Sequence, residues 1–443
     1  MILVSFSAFT LALVRAIFPV EERFFSSDGS VRNINTGLNY STIQAAINAN
    51  ETLNGHTILV KQGTYYEHVV VNKSISLIGE NRTTTIIDGN GTGTDILVTA
   101  DIVVIEKFTI RNGPTGIYLY QTNGSSAVEN DVIFNGDAIL AYYCRDFLVH
   151  NNVAGNNSGR GILVSNSRNF TVSNNLVYGN GMYGLNTNSS ENGLIRQNAA
   201  YENSYDGIGL FGSNNCTIAE NDVGNNPLFG IMIDSSNYSL IYHNNVFNNT
   251  FQASDVNVSN WWDDGIEGNY WSDYAGVDSN YDGIGDTARP IYGSIQDSHP
   301  LMGMFSDFNV VPEHPIQTIC NSSISDFQFT DASIYFNATG ENGTSGFCRI
   351  RIPLALMNGS YRVFVGGTEV PYNLLSCSNE THTCLYFNYT HSTQEVTITP
   401  EFPALLVLPL FITATLLATT ISRTRRKWQP TRQPIARFNG FPR

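Results

Sequence analysis

The chain has 443 residues and a formal net charge of −15 at pH 7, enough for two domains and some appendages. The charge is unevenly placed. Residues 403–443 carry seven Lys/Arg and no Asp or Glu, so all 38 acidic side chains lie upstream. An acidic body of this kind excludes nucleic acid as a partner and suits cations or neutral and basic partners.

In chain order, residues 1–16 are apolar, with Arg15 near the end and the small Ala16 at a possible cleavage point. They read as a signal peptide. Export agrees with recurrent N-x-Ser/Thr sequons, among them Asn39, Asn72, Asn81, Asn169, Asn215, Asn257, Asn321, Asn358 and Asn388, the marks of a glycoprotein. Ser41-Thr42-Ile43-Gln44 is a capping-box pattern. Ile43, Ala46 and Ile47 then form one apolar helical face. A short helix here would plug the open end of whatever follows. Strands are predicted at residues 56–60, 69–71, 75–78 and 85–87, with a corner at 63–67.

From 151 to 249 the chain repeats every 23 residues. Asn152, Asn175, Asn198, Asn221 and Asn244 keep that step, as do Asn157, Asn180, Asn203, Asn226 and Asn249. So do the apolar Val149, Val172, Ile195, Ile218 and Ile241, and the glycines 161, 184, 207 and 230. A fixed period of this size marks a solenoid. Short alternations such as those at 207–210 and 216–218 make each repeat two or three strands, one turn of a right-handed parallel β-helix. Stacked amides can hydrogen-bond along each Asn column, and Asn tolerates the left-handed backbone of sharp corners.

Three runs also carry a family resemblance: Thr42-Ile43-Gln44-Ala45-Ala46-Ile47, Gly63-Thr64-Tyr65-Tyr66-Glu67 and Ile75-Ser76-Leu77-Ile78-Gly79. With the 23-residue coils, residues 40–305 resemble pectin-lyase-like β-helix proteins of the carbohydrate-binding and sugar-hydrolase group, in particular the NosD-like branch. The resemblance implies the fold and leaves the chemistry open, because relatives include lyases, esterases, hydrolases and non-enzymes. The NosD relationship raises copper, but the histidines, among them His56, His68, His150, His243 and His299, are scattered rather than clustered as copper ligands.

Residues 257–303 leave the coil pattern. Trp261-Trp262-Asp263-Asp264 and the aromatic-acidic run from Gly268 to Tyr274 read as a cap on the last coil. Within it, Asp278, Asn280, Asp282 and Asp286 stand at positions 1, 3, 5 and 9 of a loop, with Gly283 at 6 and the Ile284 carbonyl at 7. That set suits Ca²⁺. Arg289 occupies position 12 in place of the bidentate Glu, so the loop resembles the short calcium loops of extracellular modules rather than a full EF-hand.

Residues 310–399 alternate as a small β-sandwich holding Cys320, Cys348, Cys377 and Cys384. An exported domain with an even count predicts two disulfides. Cys377–Cys384 would close a tight hairpin and leave Cys320–Cys348, with the other two pairings open. Cys144 and Cys216 are about three coils apart, roughly 14 Å at strand spacing, too far to bond. Residues 403–422 are twenty uncharged, mostly apolar residues, long enough for a transmembrane helix. Arg423, Arg425, Arg426 and Lys427 follow and place residues 423–443 in the cytoplasm. Pro400-Glu401-Phe402-Pro403, the span and the basic cluster resemble the C-terminal sorting tail of archaeal surface proteins, which implies a sorting enzyme as partner. The residues from Trp428 onward exceed that pattern.

Chemistry was sought on the outward columns. One reads Tyr120, Tyr142, Ser165, Asn188, Phe211, Asp234; its neighbour reads Asp137, Arg160, Tyr183, Asp206, Phe229. Mixed aromatic and polar columns suit a saccharide groove, with Tyr120, Tyr142, Arg160, Tyr183, Asp206 and Phe211 as binding residues. A glycosidase needs two carboxylates about 5–9.5 Å apart, whereas Asp137 and Asp206 lie about 14 Å apart. No catalytic residue is named. The expectation is a membrane-anchored surface protein that binds glycans or neighbours, the alternative a surface lyase, esterase or hydrolase.

Overall fold

A computed structural model describes residues 30–256 and 259–401. The expected all-β solenoid is present, its sheet strands running from Val31 to Trp271. Three sheets of eleven, ten and nine strands run its length, here called A, B and C; all their pairings are parallel except at the N-terminal edge of A, where Val31–Asn33 pairs antiparallel with Asn39–Tyr40 and Thr57–Val60. One coil takes the chain through A, B and C in turn, as in Arg145–His150, Val153–Gly155 and Ile162–Ser165. The predicted apolar column is in register, with Val149 opposite Val172, then Ile195, Ile218 and Ile241, all without exposed surface.

The corners explain the repeat. Asn152 N and Nδ2 both donate to Asn175 Oδ1 (2.9 and 3.1 Å), and the same pair of bonds recurs from Asn175 to Asn198, Asn198 to Asn221 and Asn221 to Asn244. The Asn157 column does likewise at the next corner. At the third corner the ladder is built of hydroxyls: Ser167 N donates to Ser190 Oγ, Ser190 N to Ser213 Oγ and Ser213 N to Ser236 Oγ. Each ladder residue is buried, so the backbone N–H that a sharp corner would orphan finds a partner inside.

Left-handed backbone is not the ladder residue's task. It falls one position earlier, on Asn151, Asn174, Gln197, Glu220 and His243 at the first corner (φ 53–59°). The first four side chains point outward and are of several types, whereas His243 is buried. The glycine column has a steric cause: a Cβ on Gly184, Gly207 or Gly230 would lie 2.6–2.7 Å from the Nδ2 of Asn203, Asn226 or Asn249.

At the N-terminal end the helix is Ile43–Asn48, with Ile43, Ala46 and Ile47 buried. Its N-cap is Thr42, whose Oγ1 accepts from Ala45 N, rather than Ser41. Gln44 does not close a capping box. The Glu67 carboxylate, from the following coil, takes the N–H groups of Ile43 and Gln44 (both 3.0 Å), and Gln44 reaches Val70 instead. At the other end Trp262 and Trp271 are buried with rings 5.6 Å apart, their indole N–H groups donating to Asp255 and Asp297. These aromatics close the last coil.

Two five-stranded antiparallel sheets then form the sandwich. Its first strand is Met304–Phe308, and its core centres on Phe336, Ile350, Val363, Phe387 and Ile398. The structure brings Cys320 directly opposite Cys348 and Cys377 beside Cys384, but all four are free thiols, so neither predicted disulfide is formed. Cys144 lies in the third-corner ladder, in contact with Thr122, and Cys216 is buried. No helix among the described residues is long and apolar enough to cross a membrane. The predicted signal peptide, the 403–422 span and the basic tail lie outside the described residues.

Candidate functional site

Sheet C carries the site proposed from the sequence. Its registers place Tyr120 beside Tyr142, then Ser165, Asn188, Phe211 and Asp234, the column read from the sequence, including the one 22-residue step. Two aromatic groups result. Tyr118 lies 5.6 Å from Tyr120 and 5.7 Å from Tyr142, ring to ring; Tyr183 lies 5.4 Å from Tyr205 and 5.5 Å from Phe211. Ser165, Asn186 and Asn188 separate them. Tyr118 and Tyr205 escaped the sequence reading because it followed two columns, and these rings enter from a third column and from the corner.

The charged members of the neighbouring column serve the backbone first. Asp137 Oδ1 accepts from Arg160 N at 2.7 Å and its Oδ2 meets Arg160 Nη1 at 3.3 Å. Asp206 Oδ1 accepts from Phe229 N, one coil on, at 3.2 Å. Asp206 is only 2 % exposed. Burial pushes its carboxyl up to about 6, against the stabilising Phe229 N–H. It therefore sits in the wall of the face, below Tyr183, while Arg160 stands at the surface.

The 278–286 loop is held by its own carboxylates. Asp278 accepts from Asp282 N and Gly283 N (3.0 and 2.8 Å), Asp282 from Ile284 N and Asn280 Nδ2 (2.9 and 3.0 Å), and Asp286 from Ser279 N (2.9 Å). The loop packs on the sandwich, with Tyr281 and Tyr386 6.2 Å apart.

Among the described residues no three His, Cys, Asp or Glu side chains converge as a metal-holding group. The histidines are engaged separately: His150 with Ser173, His243 with Glu267, His299 with Asp263 and His391 with Ser322 and Thr344. A copper ion wants several His, Met or Cys donors together, and these residues do not fit one.

Comparison with known proteins gives three findings. The family profile described as periplasmic copper-binding protein (NosD) matches residues 50–276, just over half of the chain. A cell surface glycoprotein from Methanothermus fervidus is 34% identical over 102 residues, which is 23% of this chain and 17% of that protein. The chain thus matches about a sixth of this relative's length. Among solved structures, the A-module of a mannuronan C-5 epimerase from Azotobacter vinelandii aligns at 20% identity over 48% of this chain and 74% of its own, with a TM-score of 0.39. An alginate lyase from Paenibacillus sp. aligns at 12% over 52% and 95%, with a TM-score of 0.36.

Proposed function

Since this chain belongs to the NosD family, with a β-helix whose residues offer copper no donor set, we propose that it is a cell-surface protein whose sheet C binds polysaccharide. The observation that carries this reading is the pair of aromatic groups stacked across successive coils, with Arg160 between them. Aromatic faces take the apolar faces of sugar rings, and a guanidinium takes hydroxyls. The match to a cell surface glycoprotein supports the location. A glycan array probed with the full chain tests it. Tyr142→Ala with Tyr183→Ala should lose the glycans that the parent binds and leave the melting temperature nearly unchanged. A large fall in stability would make these side chains structural and remove the proposal.

One observation favours the second reading, a surface lyase, esterase or hydrolase. Asp206 lies beside Tyr183 in the wall of the face with its carboxyl raised by burial, so a substrate that displaced Tyr183 would meet an acid in the protonation range of a general acid. Depolymerisation assays on surface polysaccharides, with and without added Ca²⁺, separate the two. No product at any pH from 5 to 8 would leave binding alone.

The anchor and its partners complete the proposal: residues 403–422 span the membrane, 423–443 lie in the cytoplasm, and a sorting enzyme acts at the tail. The 278–286 loop would take Ca²⁺ by turning Asp278, Asp282 and Asp286 from their own backbone N–H groups toward the ion, a cost that goes with a weak Kd on the order of 10⁻⁴–10⁻³ M, and its contact with the sandwich would make the ion stabilise both modules. Millimolar calcium should raise the melting temperature, and Asp282→Ala should abolish most of the rise. Superimposable melting curves in calcium and in chelator would count against the ion.

A further inference from the structure

Where sheet B turns toward sheet C over the early coils, the surface opens into a groove of about 960 Å³. Tyr66, Asp88, Arg111, Asn112, Phe134 and Asn156 line it, and none of the aromatic residues of sheet C does. The register sets Asp88 beside Arg111 and Arg111 beside Ile133, with Tyr66 one coil before Asp88. From Tyr66 to Phe134 the groove therefore runs along the solenoid axis for three coils, roughly 14 Å at strand spacing.

Two features of this groove are costly for a purely structural surface. The first is Phe134. Its backbone is left-handed (φ 59°) and its residue is 55 % exposed. The same place on the adjacent coils holds Asn112, Asn156 and Gly179, and farther along Glu202, Asn225 and Asn248, all with positive φ, so Phe134 is the one aromatic among residues that are mostly Asn or Gly, the types that tolerate this conformation. An aromatic here accepts about 1–2 kcal/mol of strain without the compensation of burial. The second is Arg111. Asp88 Oδ2 accepts from Arg111 Nε and from Asn112 Nδ2, both at 2.9 Å, while Asp88 Oδ1 accepts from Asn90 N. The carboxylate is thus fully engaged, and it fixes the guanidinium by one edge. The Nη1–Nη2 edge has no partner among the described residues and is preorganised for a second carboxylate. Tyr66, 62 % exposed, stands at the far end.

We propose that this groove binds an acidic oligosaccharide, with a sugar carboxylate on the Nη edge of Arg111 and ring faces on Phe134 and Tyr66. The side-chain amides of Asn112 and Asn156 supply hydrogen bonds for hydroxyls. The proposal rests on the glycan-binding reading for its ligand class and places acid selectivity at a site apart from sheet C.

The test is calorimetric titration of the full chain with uronic-acid oligosaccharides and with neutral oligosaccharides of equal length. Arg111→Lys keeps the charge and the partner for Asp88 but loses the planar fork. Phe134→Asn restores the residue type of the neighbouring coils, so it keeps the fold. Each should weaken acidic-glycan binding about tenfold or more, the worth of one good charge-assisted contact, with an unchanged melting curve. The Tyr142/Tyr183 double variant should bind the acidic ligand as before. Wild-type chain that ignores uronic oligosaccharides, or binds them equally in both groove variants, overturns the proposal. Loss of acidic binding in the tyrosine variant alone would assign the ligand to sheet C and leave the groove wrong. Acidic binding that needs Arg111, with no binding of neutral glycans, would uphold the groove and sink the sheet C reading.

Discussion

Asp95 shows what one residue at the end of a ladder must do. It occupies the glycine column, aligned with Gly116, and the ladder position on the following coil is Gly113. The carboxyl fills the space that a ladder amide would take: a Cβ on Gly89 or Gly113 would lie 1.9 or 2.2 Å from Asp95 Oδ1. Both oxygens are buried without a well-formed hydrogen bond, the nearby Gly113 N–H being directed to Asn135 Oδ1 and offsetting the burial only in small part. Burial, helped by the charge of Asp88, pushes the group up to about 8. A carboxyl raised in the folded state is protonated there while the unfolded chain ionises. Its contribution to stability is therefore whole below about pH 4, falls as pH rises, and levels off above about 8. Asp95→Asn should flatten that decline and raise stability at pH 8 by a few kcal/mol, read from urea melts at pH 5 and pH 8. Equal pH slopes in the two proteins would mean that the carboxyl finds a partner or water. Nothing in the sequence marks this residue, because the shorter early coils hide its column.

At the scale of the element, the ladders separate amides that hold the fold from amides that decorate it. Asn198 Oδ1 accepts two bonds from Asn175 and its Nδ2 donates to Val172 O, all buried. Asn198→Ala would strand several buried polar groups and should cost on the order of 3 kcal/mol or more. An outer ladder looks similar in sequence: Asn169 Nδ2 donates to Asp146, Asn192 Nδ2 to Asn169 and Asn215 Nδ2 to Asn192. It is exposed and left-handed throughout. Asn192→Gly, which suits that backbone, should change stability by less than about 0.5 kcal/mol. Comparable losses in the two variants would refute the distinction. The inner ladders were legible because a buried amide tolerates no substitute and so repeats without a slip. The third-corner ladder was not, since Thr122, Cys144, Ser167 and Ser190 share only a small polar atom and do not look like a column. The left-handed residues were hidden for the opposite reason: along the coils their outward side chains vary from Asn to Gln to Glu, and only the last, His243, is buried. Phe134 was findable in principle, as the one aromatic in a column otherwise of Asn, Gly and Glu.

For the whole molecule, the contact that fixes the sandwich to the solenoid lies between residues far apart in sequence, which no periodicity could reveal. Glu267, in the cap, pairs with Arg349 of the sandwich and takes a 2.7 Å bond from His243, whose ring stacks on Phe305 at 4.0 Å. Asn245 of the last coils exchanges two 2.8 Å bonds with the backbone of Phe305. Burial alone would raise the Glu267 carboxyl, but the His243 bond and the Arg349 charge hold it down to about 2. Being depressed, it contributes stability above about pH 4.5 that is lost as pH falls toward 2. Arg349→Met leaves a buried carboxylate with half its partners and should cost about 3–5 kcal/mol. In calorimetry the expected signature is one transition in the parent and two in the variant, as solenoid and sandwich uncouple. A single, merely lower transition would show that the modules are held by their apolar contacts alone.

The inner amide ladders also give the molecule a grain. Every rung donates forward, from Asn152 through Asn244 to Asn269, whose N–H ends on the Asp297 carboxylate. Along the ladders each coil bonds only to its neighbours, the Arg82–Asp131 pair of the early coils reaching two coils on, so a pull along the chain from the cap loads one rung at a time. The solenoid would then yield by unwinding, turn after turn. Each turn releases one 23-residue repeat, roughly 80 Å of extended chain, and leaves the next coil's amides exposed as a fresh end. A solenoid of this kind, loaded from its cap, would stretch in even steps and rewind from the same template, a spring whose stroke is set by the period of its sequence.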